Sequence, residues 1–370
     1  MAITEIDIAM IRRAFELARA GVGLVSPNPL VGCVIVSAAG EIVGEGTYIY
    51  DNVIHAEAIA LDQAGELAIG STAYVSLEPH DHHGKTNPCT EALINAGVKR
   101  IVCPIEDPNP LVSGAGISRL RDEGLQVDTG VLSAEAAEIN EKFICWHRNG
   151  RPFVHLKLAV SLDGRISLNK SVSTALSGDG ALKRVHEIRH DHDAILVGSN
   201  TVLVDDPNLT DRSGKPRRRE LARVVLDNRL QIPVNSRLVR SATETPTIVF
   251  SNSTDEAKLE SLLRNGVSVP QIDARDLNAV LAYLRERDIQ SILVEGGSEV
   301  AGAFCDAGIV DKITFMMAPI IIGGRDAPPA IGGTGAVKIS DVIQLKELTV
   351  VNYGGDIEIT GYPGVQGRDH

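Results

Sequence analysis

The sequence predicts an α/β protein built as two consecutive domains. Short apolar runs rich in β-branched residues alternate with segments of helical apolar spacing along most of its length. At 370 residues the chain exceeds the usual size of one domain. An Arg148-Asn-Gly-Arg-Pro152 turn signal divides it near residues 148–151, giving expected domains 1–148 and 149–370. Hydrophobic residues make up 44% of the chain, enough for a buried core in each.

In the first domain, Ile8, Ile11, Phe15 and Ala18 recur at helical spacing within residues 4–20. Residues 30–36 are apolar and β-branched, are preceded by Pro27 and Pro29, and read as a strand. A helix is expected over 56–64, a strand over 72–77, a helix over 90–96 and a strand over 100–104. Two more helices are expected over 117–123 and 134–145. This alternation indicates an α/β sandwich with a partly parallel sheet. In the second domain, residues 153–160, 194–197, 223–226, 247–250 and 291–294 read as short strands with helical stretches between several of them. Residues 312–317 and 348–351 are placed to complete that sheet, and 211–220 (DRSGKPRRRE) reads as an exposed loop.

Formal net charge is −12, which argues against a nucleic-acid partner, whose binders present a basic surface. Small anionic substrates remain possible, since a few placed cations hold one phosphate. Five scattered cysteines do not form a disulfide framework and fit a reducing, cytoplasmic setting. The N-terminal MAITEIDIAMIRRAF has no apolar signal core, and no segment reaches transmembrane length, so no membrane partner is expected.

The chemistry-bearing stretch is His55-Ala-Glu57, followed by Glu78-Pro-His-Asp-His-His-Gly-Lys-Thr-Asn-Pro-Cys89. An H-x-E before a helix and a later Pro-Cys before another are the signature of zinc-dependent base deaminases. Zinc lowers the pKa of a bound water, and ammonia leaves only if a nearby carboxylic acid delivers protons. His55 and Cys89 are candidate ligands and Glu57 the candidate proton shuttle. Both helix starts favour anions, so a thiolate is expected to be stabilised at Cys89. One position departs from the signature: His80 follows Pro79 where a cysteine is expected. Its imidazole is a good zinc ligand, though neutral and longer in reach than a thiolate. Alternatively His82 or His83 swings in, or the loop is only a polar surface. In the second domain, Ser291-Ile-Leu-Val-Glu-Gly-Gly297 reads as a strand running into glycines and then a helix, a turn whose backbone amides can approach a phosphate.

The chain resembles the bifunctional riboflavin-biosynthesis family that joins a diaminohydroxyphosphoribosylaminopyrimidine deaminase to a 5-amino-6-(5-phosphoribosylamino)uracil reductase. The resemblance spans nearly the whole chain. It runs through Ser26-Pro-Asn-Pro-Leu-Val-Gly-Cys33, His55-Ala-Glu57, Leu77-Glu-Pro79, His83-Gly-Lys-Thr86, Pro88-Cys89 and Asp107-Pro-Asn-Pro110. It continues through Lys157-Leu-Ala-Val-Ser-Leu-Asp-Gly164, Gly198-Ser-Asn-Thr-Val202, Asp205-Asp-Pro-Asn-Leu-Thr210, Val294-Glu-Gly-Gly297 and Ala318-Pro319. It implies a cytidine-deaminase-like three-layer domain, then a dihydrofolate-reductase-like α/β domain that uses NADPH. It implies zinc at His55, His80 and Cys89, proton transfer by Glu57, and substrate contacts from Asn28, His82 and Lys85.

In the second domain it implies substrate contacts from Ser173, Arg189, Leu209, Arg212 and Glu295. Cofactor contacts are implied for Lys157, Ala159, Ala175, Thr201, Asp205, Asn228, Gly296, Gly297 and Ser298. Small ribosyl-phosphate pyrimidines are the implied substrates and a homo-oligomer the implied assembly. Two stretches depart from the family pattern. Thr174-Ala-Leu-Ser-Gly178 carries Ala175 where a tryptophan is usual, and residues 46–54 lack the usual His and Gly. The competing reading is a reductase whose deaminase domain is degenerate and non-catalytic.

Overall fold

The computed structural model describes residues 3–84 and 86–364 and divides into two compact units, Met1–Arg151 and Pro152–His370. In the first, α1 (Glu5–Arg19) opens with a capping box. The Thr4 hydroxyl accepts from the Asp7 amide at 3.2 Å, and the Asp7 carboxylate accepts from the Thr4 amide at 2.8 Å. Asp7 also receives Arg100 at 2.6 and 3.1 Å and the Tyr74 hydroxyl at 2.9 Å. Burial alone would raise its pKa, but Arg100, Thr4 and Tyr74 together hold it far below the usual carboxylate range.

The sheet of this unit contains β1 (Gly32–Val36), β2 (Ile42–Thr47), β3 (Thr72–Val75), β4 (Arg100–Cys103) and β5 (Gln126–Thr129), in the order β2-β1-β3-β4-β5. β1 runs antiparallel to both neighbours, and β3, β4 and β5 are parallel. α2 (Ala56–Ala64), α3 (Cys89–Asn95) and α4 (Ala115–Asp122) pack one face around Ala56, Ala60, Leu93 and Leu120. The opposite face receives α1 through Ile11 and Phe15, and α5 (Ser133–Ile139) through Ala136; α6 (Glu141–Arg148) closes the unit. The result is the expected three-layer α/β arrangement. α2 lies unusually close to the sheet because its alanine face meets glycines. A Cβ at Gly44 would stand 1.9 Å from the Ala60 carbonyl oxygen, and one at Gly46 would stand 2.0 Å from that of Ala56.

The second unit holds β6 (Phe153–Ser161), β7 (Ala194–Gly198), β8 (Ala222–Leu226), β9 (Thr247–Phe250), β10 (Ser291–Val294), β11 (Lys312–Ala318), β12 (Leu345–Tyr353) and β13 (Asp356–Pro363). They form one sheet, ordered β12-β13-β11-β6-β10-β7-β8-β9. The six strands from β11 to β9 are parallel, and β13 and β12 extend them antiparallel. Its helices are α7 (Asp179–His190), α8 (Ser199–Asp205), α9 (Arg237–Arg240), α10 (Glu256–Arg264), α11 (Leu277–Arg285) and α12 (Ser298–Asp306). α11 and α12 cover one face through Val280, Leu284 and Phe304. α8, α9 and α10 cover the other through Val202, Leu238 and Leu262. Among the described residues no helix is long and apolar enough to cross a membrane.

Several elements differ from the sequence expectation. β2 escapes notice because Gly44 and Gly46 dilute its β-branched signal. β13 inverts the usual pattern, burying Asp356, Glu358 and Thr360, because Arg184 pairs with Glu358 at 2.9 Å and the Gly178 amide donates to Asp356. β5 offers only one apolar residue, Val127. The single helix expected over 134–145 is instead α5 and α6, broken at Asn140. Its side chain bonds both the amide and the carbonyl of Leu30, at 2.9 and 3.0 Å. This tertiary bond outweighs local helix preference. Residues 211–220 form a loop, but not a freely solvated one. Arg217 donates to the carbonyls of Arg189, His190, His192 and Arg219 and to Asp211, capping the end of α7.

Candidate functional site

Four residues from three local structures converge at the C-terminal ends of the first sheet's central strands. His55 is the residue before α2, Glu57 lies in its first turn, His80 follows β3, and Cys89 opens α3. One donor atom each from His55, His80 and Cys89 lies within 4.8 Å of the other two. The His55 and His80 rings are 4.5 Å apart and His82 is 5.0 Å from His80, whereas exposed His83 points to Glu91 at 3.6 Å. Glu57 is 3% exposed, and its Oε2 is buried without a hydrogen-bond partner. Burial, then the charges of His55 and His82, lower His80 to about 4, so its ring is neutral, the form that ligates metals. Two nitrogens and one sulfur held this close are a donor set that zinc accepts.

Burial first, and Glu57 second, push the Cys89 thiol well above its ordinary value, so a bound metal ion rather than the helix start alone would hold it as a thiolate. Asn28 sits at the rim, where its Nδ2 donates to the Tyr48 hydroxyl at 2.6 Å, and the Tyr48 ring is 5.2 Å from His55. Lys85 lies outside the described residues. Sequence reasoning missed a role for Glu78. Its buried carboxylate accepts from the amides of Asp107, Gly114 and Ile117 at 2.9 to 3.1 Å, fastening the Asp107-Pro-Asn-Pro110 loop beside the strand end that leads to His80. The Leu-Glu-Pro and Asp-Pro-Asn-Pro blocks were the available signal.

In the second unit the candidate residues gather along the carboxyl ends of the parallel strands, where open α/β sheets bind ligands. Buried Lys157 on β6 places Nζ 3.6 Å from Glu295, which follows β10. Arg189, near the end of α7, grips the same carboxylate at 2.8 and 3.0 Å and donates to the Thr210 carbonyl at 3.1 Å. Burial would raise Glu295, yet Lys157 and Arg189 bring it down to about 2. Leu209 is buried with a left-handed φ of 49°, and Arg212 beside it is exposed. Ser173 and Ala175 are exposed on the β6–α7 loop, with Ala159 half-buried on β6.

Thr201 is half-buried and Asp205 exposed on α8. The Asn228 side chain is occupied by Asp273 at 2.5 Å and the Ala274 amide at 2.7 Å. Gly296, Gly297 and Ser298 form the turn into α12. A Cβ at Gly296 would strike Val300 at 2.6 Å, whereas beside Gly297 there is open space. That turn, with the unsatisfied leading amides of α12, suits a nucleotide phosphate. Sequence reasoning also missed a cleft of about 390 Å³ lined by Arg165, Lys170, Ser171 and Arg325, beside the loop that carries Ser173.

Residues 4–105 match the cytidine and deoxycytidylate deaminase zinc-binding region, and residues 152–359 match the RibD C-terminal domain. The riboflavin biosynthesis protein RibD of Bacillus amyloliquefaciens is 39% identical over 360 residues, covering 96% of each chain. The solved structure of Acinetobacter baumannii RibD superposes with a TM-score of 0.87 at 34% identity, covering 98% of this chain and 99% of that one. A Thermotoga maritima diaminohydroxyphosphoribosylaminopyrimidine deaminase/5-amino-6-(5-phosphoribosylamino)uracil reductase gives a TM-score of 0.83 at 34% identity, covering 97% and 99%. The chain therefore belongs to the RibD family of riboflavin-biosynthesis proteins, and it is a bifunctional enzyme with a zinc-binding deaminase domain followed by a reductase domain.

Proposed function

We propose that residues 1–148 deaminate 2,5-diamino-6-(5-phosphoribosylamino)pyrimidin-4-one, and that residues 149–370 reduce the ribosyl group of 5-amino-6-(5-phosphoribosylamino)uracil to ribityl with NADPH. The Thermotoga maritima relative is named for these two activities. The observation that carries the first step is the convergence of the His55, His80 and Cys89 donors beside the unpartnered oxygen of Glu57. These three residues would hold a zinc ion, whose contribution when bound is to lower the pKa of water at its open position. Glu57 takes a proton from the attacking water and delivers it to the departing amine, so a C–O bond forms, the C–N bond breaks and ammonia leaves. Asn28 and His82 orient the pyrimidine, and Lys85 meets the phosphate.

In the reductase domain NADPH supplies the hydride, and the chain's own residues supply position. The Gly296, Gly297 and Ser298 turn receives a cofactor phosphate. Thr201, Asp205, Lys157, Ala159, Ala175 and the Asn228 loop border the remainder of the cofactor. Lys157 and Arg189 keep Glu295 ionised against the sugar, Leu209 packs the ring, and exposed Arg212 with Ser173 binds the substrate phosphate. None of the five cysteines is disulfide-bonded, which fits a reducing cytoplasm. We also take the working assembly to be a homo-oligomer. β12 is an edge strand with Leu348, Val350 and Val351 exposed, suited to antiparallel pairing with the same strand of a second copy. Sedimentation as a monomer at micromolar concentration would refute that assembly.

The decisive experiment counts zinc per chain in protein purified without added metal. About one zinc per chain, lost in His80→Ala together with deaminase turnover, is expected. A zinc-free, folded chain with an active reductase would revive the degenerate-deaminase reading, which the close donor set and the intact Glu57 otherwise disfavour.

A further inference from the structure

The segments carrying His80 and Cys89 are fastened together at a point that the deaminase chemistry itself does not use. Thr90, fully buried and next to Cys89, donates its amide to the His80 carbonyl at 3.3 Å. Its hydroxyl donates to the carboxylate of Asp81. Residues 80 and 81 are thus held at two points, one backbone and one side chain, by the residue that follows Cys89. Geometry and charge both give this contact a purpose. An imidazole carries its donor nitrogen farther from its Cα than a thiolate carries its sulfur. The backbone at residue 80 must therefore be set back and fixed for the ring to meet its partners, and the His80 ring already lies 4.5 Å from that of His55. Two neutral imidazoles and one thiolate also give a divalent cation only one negative ligand. Glu57 is committed to proton transfer, and the Asp81 carboxylate, one residue from His80, adds a further negative charge from the outer sphere, where such groups orient ligands and tune the ion.

We infer that Asp81 and Thr90 form a latch that positions His80 as a metal ligand and that Asp81 supplies outer-sphere charge compensation for the His-His-Cys donor set. The inference rests on the zinc reading of His55, His80 and Cys89. Both latch residues are positioning residues, since they act through His80.

The test measures zinc affinity of the full chain by chelator competition, and the visible absorption of the cobalt(II)-loaded chain, which reports the donor set. Thr90→Val keeps the buried volume and removes the hydroxyl tie. Asp81→Asn is isosteric and half-exposed, keeps an acceptor for Thr90 and removes the charge, so it guards against misfolding. Thr90→Val is expected to weaken zinc on the order of 10- to 100-fold and to change the cobalt spectrum as His80 loosens. Asp81→Asn is expected to weaken zinc about tenfold with the spectrum nearly unchanged. Wild-type binding of one zinc with unaltered affinity in both variants overturns the latch alone. Failure of the wild-type chain to bind zinc overturns the donor-set reading and the latch with it.

Discussion

Gly46→Ala is the most informative single perturbation of the deaminase domain. The glycine lies on β2, away from every proposed ligand in sequence, yet a Cβ there would stand 2.0 Å from the carbonyl oxygen of Ala56. Ala56 is the first residue of α2, between His55 and Glu57. Carbon–oxygen contact needs more than 3 Å, so strand and helix must part by roughly 1 Å. The obstacle is backbone, which cannot rotate away as a flexible side chain would. Overpacking of this kind costs about 1–3 kcal/mol of stability. The larger effect falls on chemistry. A displacement of roughly 1 Å in the first turn of α2 moves a zinc donor and the proton shuttle together, and a misplacement of that size costs on the order of 100-fold in rate. The assay compares deaminase and reductase turnover of one purified chain, so the reductase serves as an internal control of concentration. The expected result is deaminase turnover reduced about 100-fold, weakened zinc retention and unaltered reductase turnover. Deaminase turnover within threefold of wild type, in a variant that retains its zinc, would refute the idea that glycine-dependent docking of α2 sets the site.

Two further outcomes are expected. Glu295→Gln leaves Lys157 and Arg189 buried without their common counter-charge, which should destabilise the reductase domain by about 3–5 kcal/mol in denaturant unfolding and abolish its turnover while deaminase turnover persists; an unfolding midpoint equal to wild type would contradict this. Asp7 is held below its unfolded-state pKa, so its contribution to stability is complete above the ordinary carboxylate range, about pH 4, and is lost as pH falls through its folded-state value. The deaminase domain of an Asp7→Asn variant, followed by thermal unfolding, should therefore show a flatter acid limb than wild type, and parallel limbs would count against the Asp7–Arg100 account.

The zinc candidates were legible because short-range rules govern them. His55 and Cys89 each stand at a helix start, and a strand ends shortly before His80, positions set by local apolar periodicity and by Pro79 and Pro88. The same locality made α2, β9 and β10 readable to the residue. Where long-range partners decide conformation, the sequence misled. Asn140 breaks a helix because Leu30 offers it two backbone bonds, and β13 buries carboxylates because Arg184 and the Gly178 amide wait for them. Arg217 looked like a solvated loop cation and instead caps α7.

By itself, then, the sequence determined the two-domain α/β class, the order of most elements and the residue types able to do the chemistry, because periodicity, turn residues and short motifs act within a few residues of chain. Tertiary structure decided that the donors of His55, His80 and Cys89 come within 4.8 Å, that Glu57 keeps a buried oxygen unpartnered, and that Arg189 and Lys157 converge on Glu295. Those outcomes depend on distances between segments far apart in the chain, and such distances are fixed only when the sheet registers and helix packing are in place.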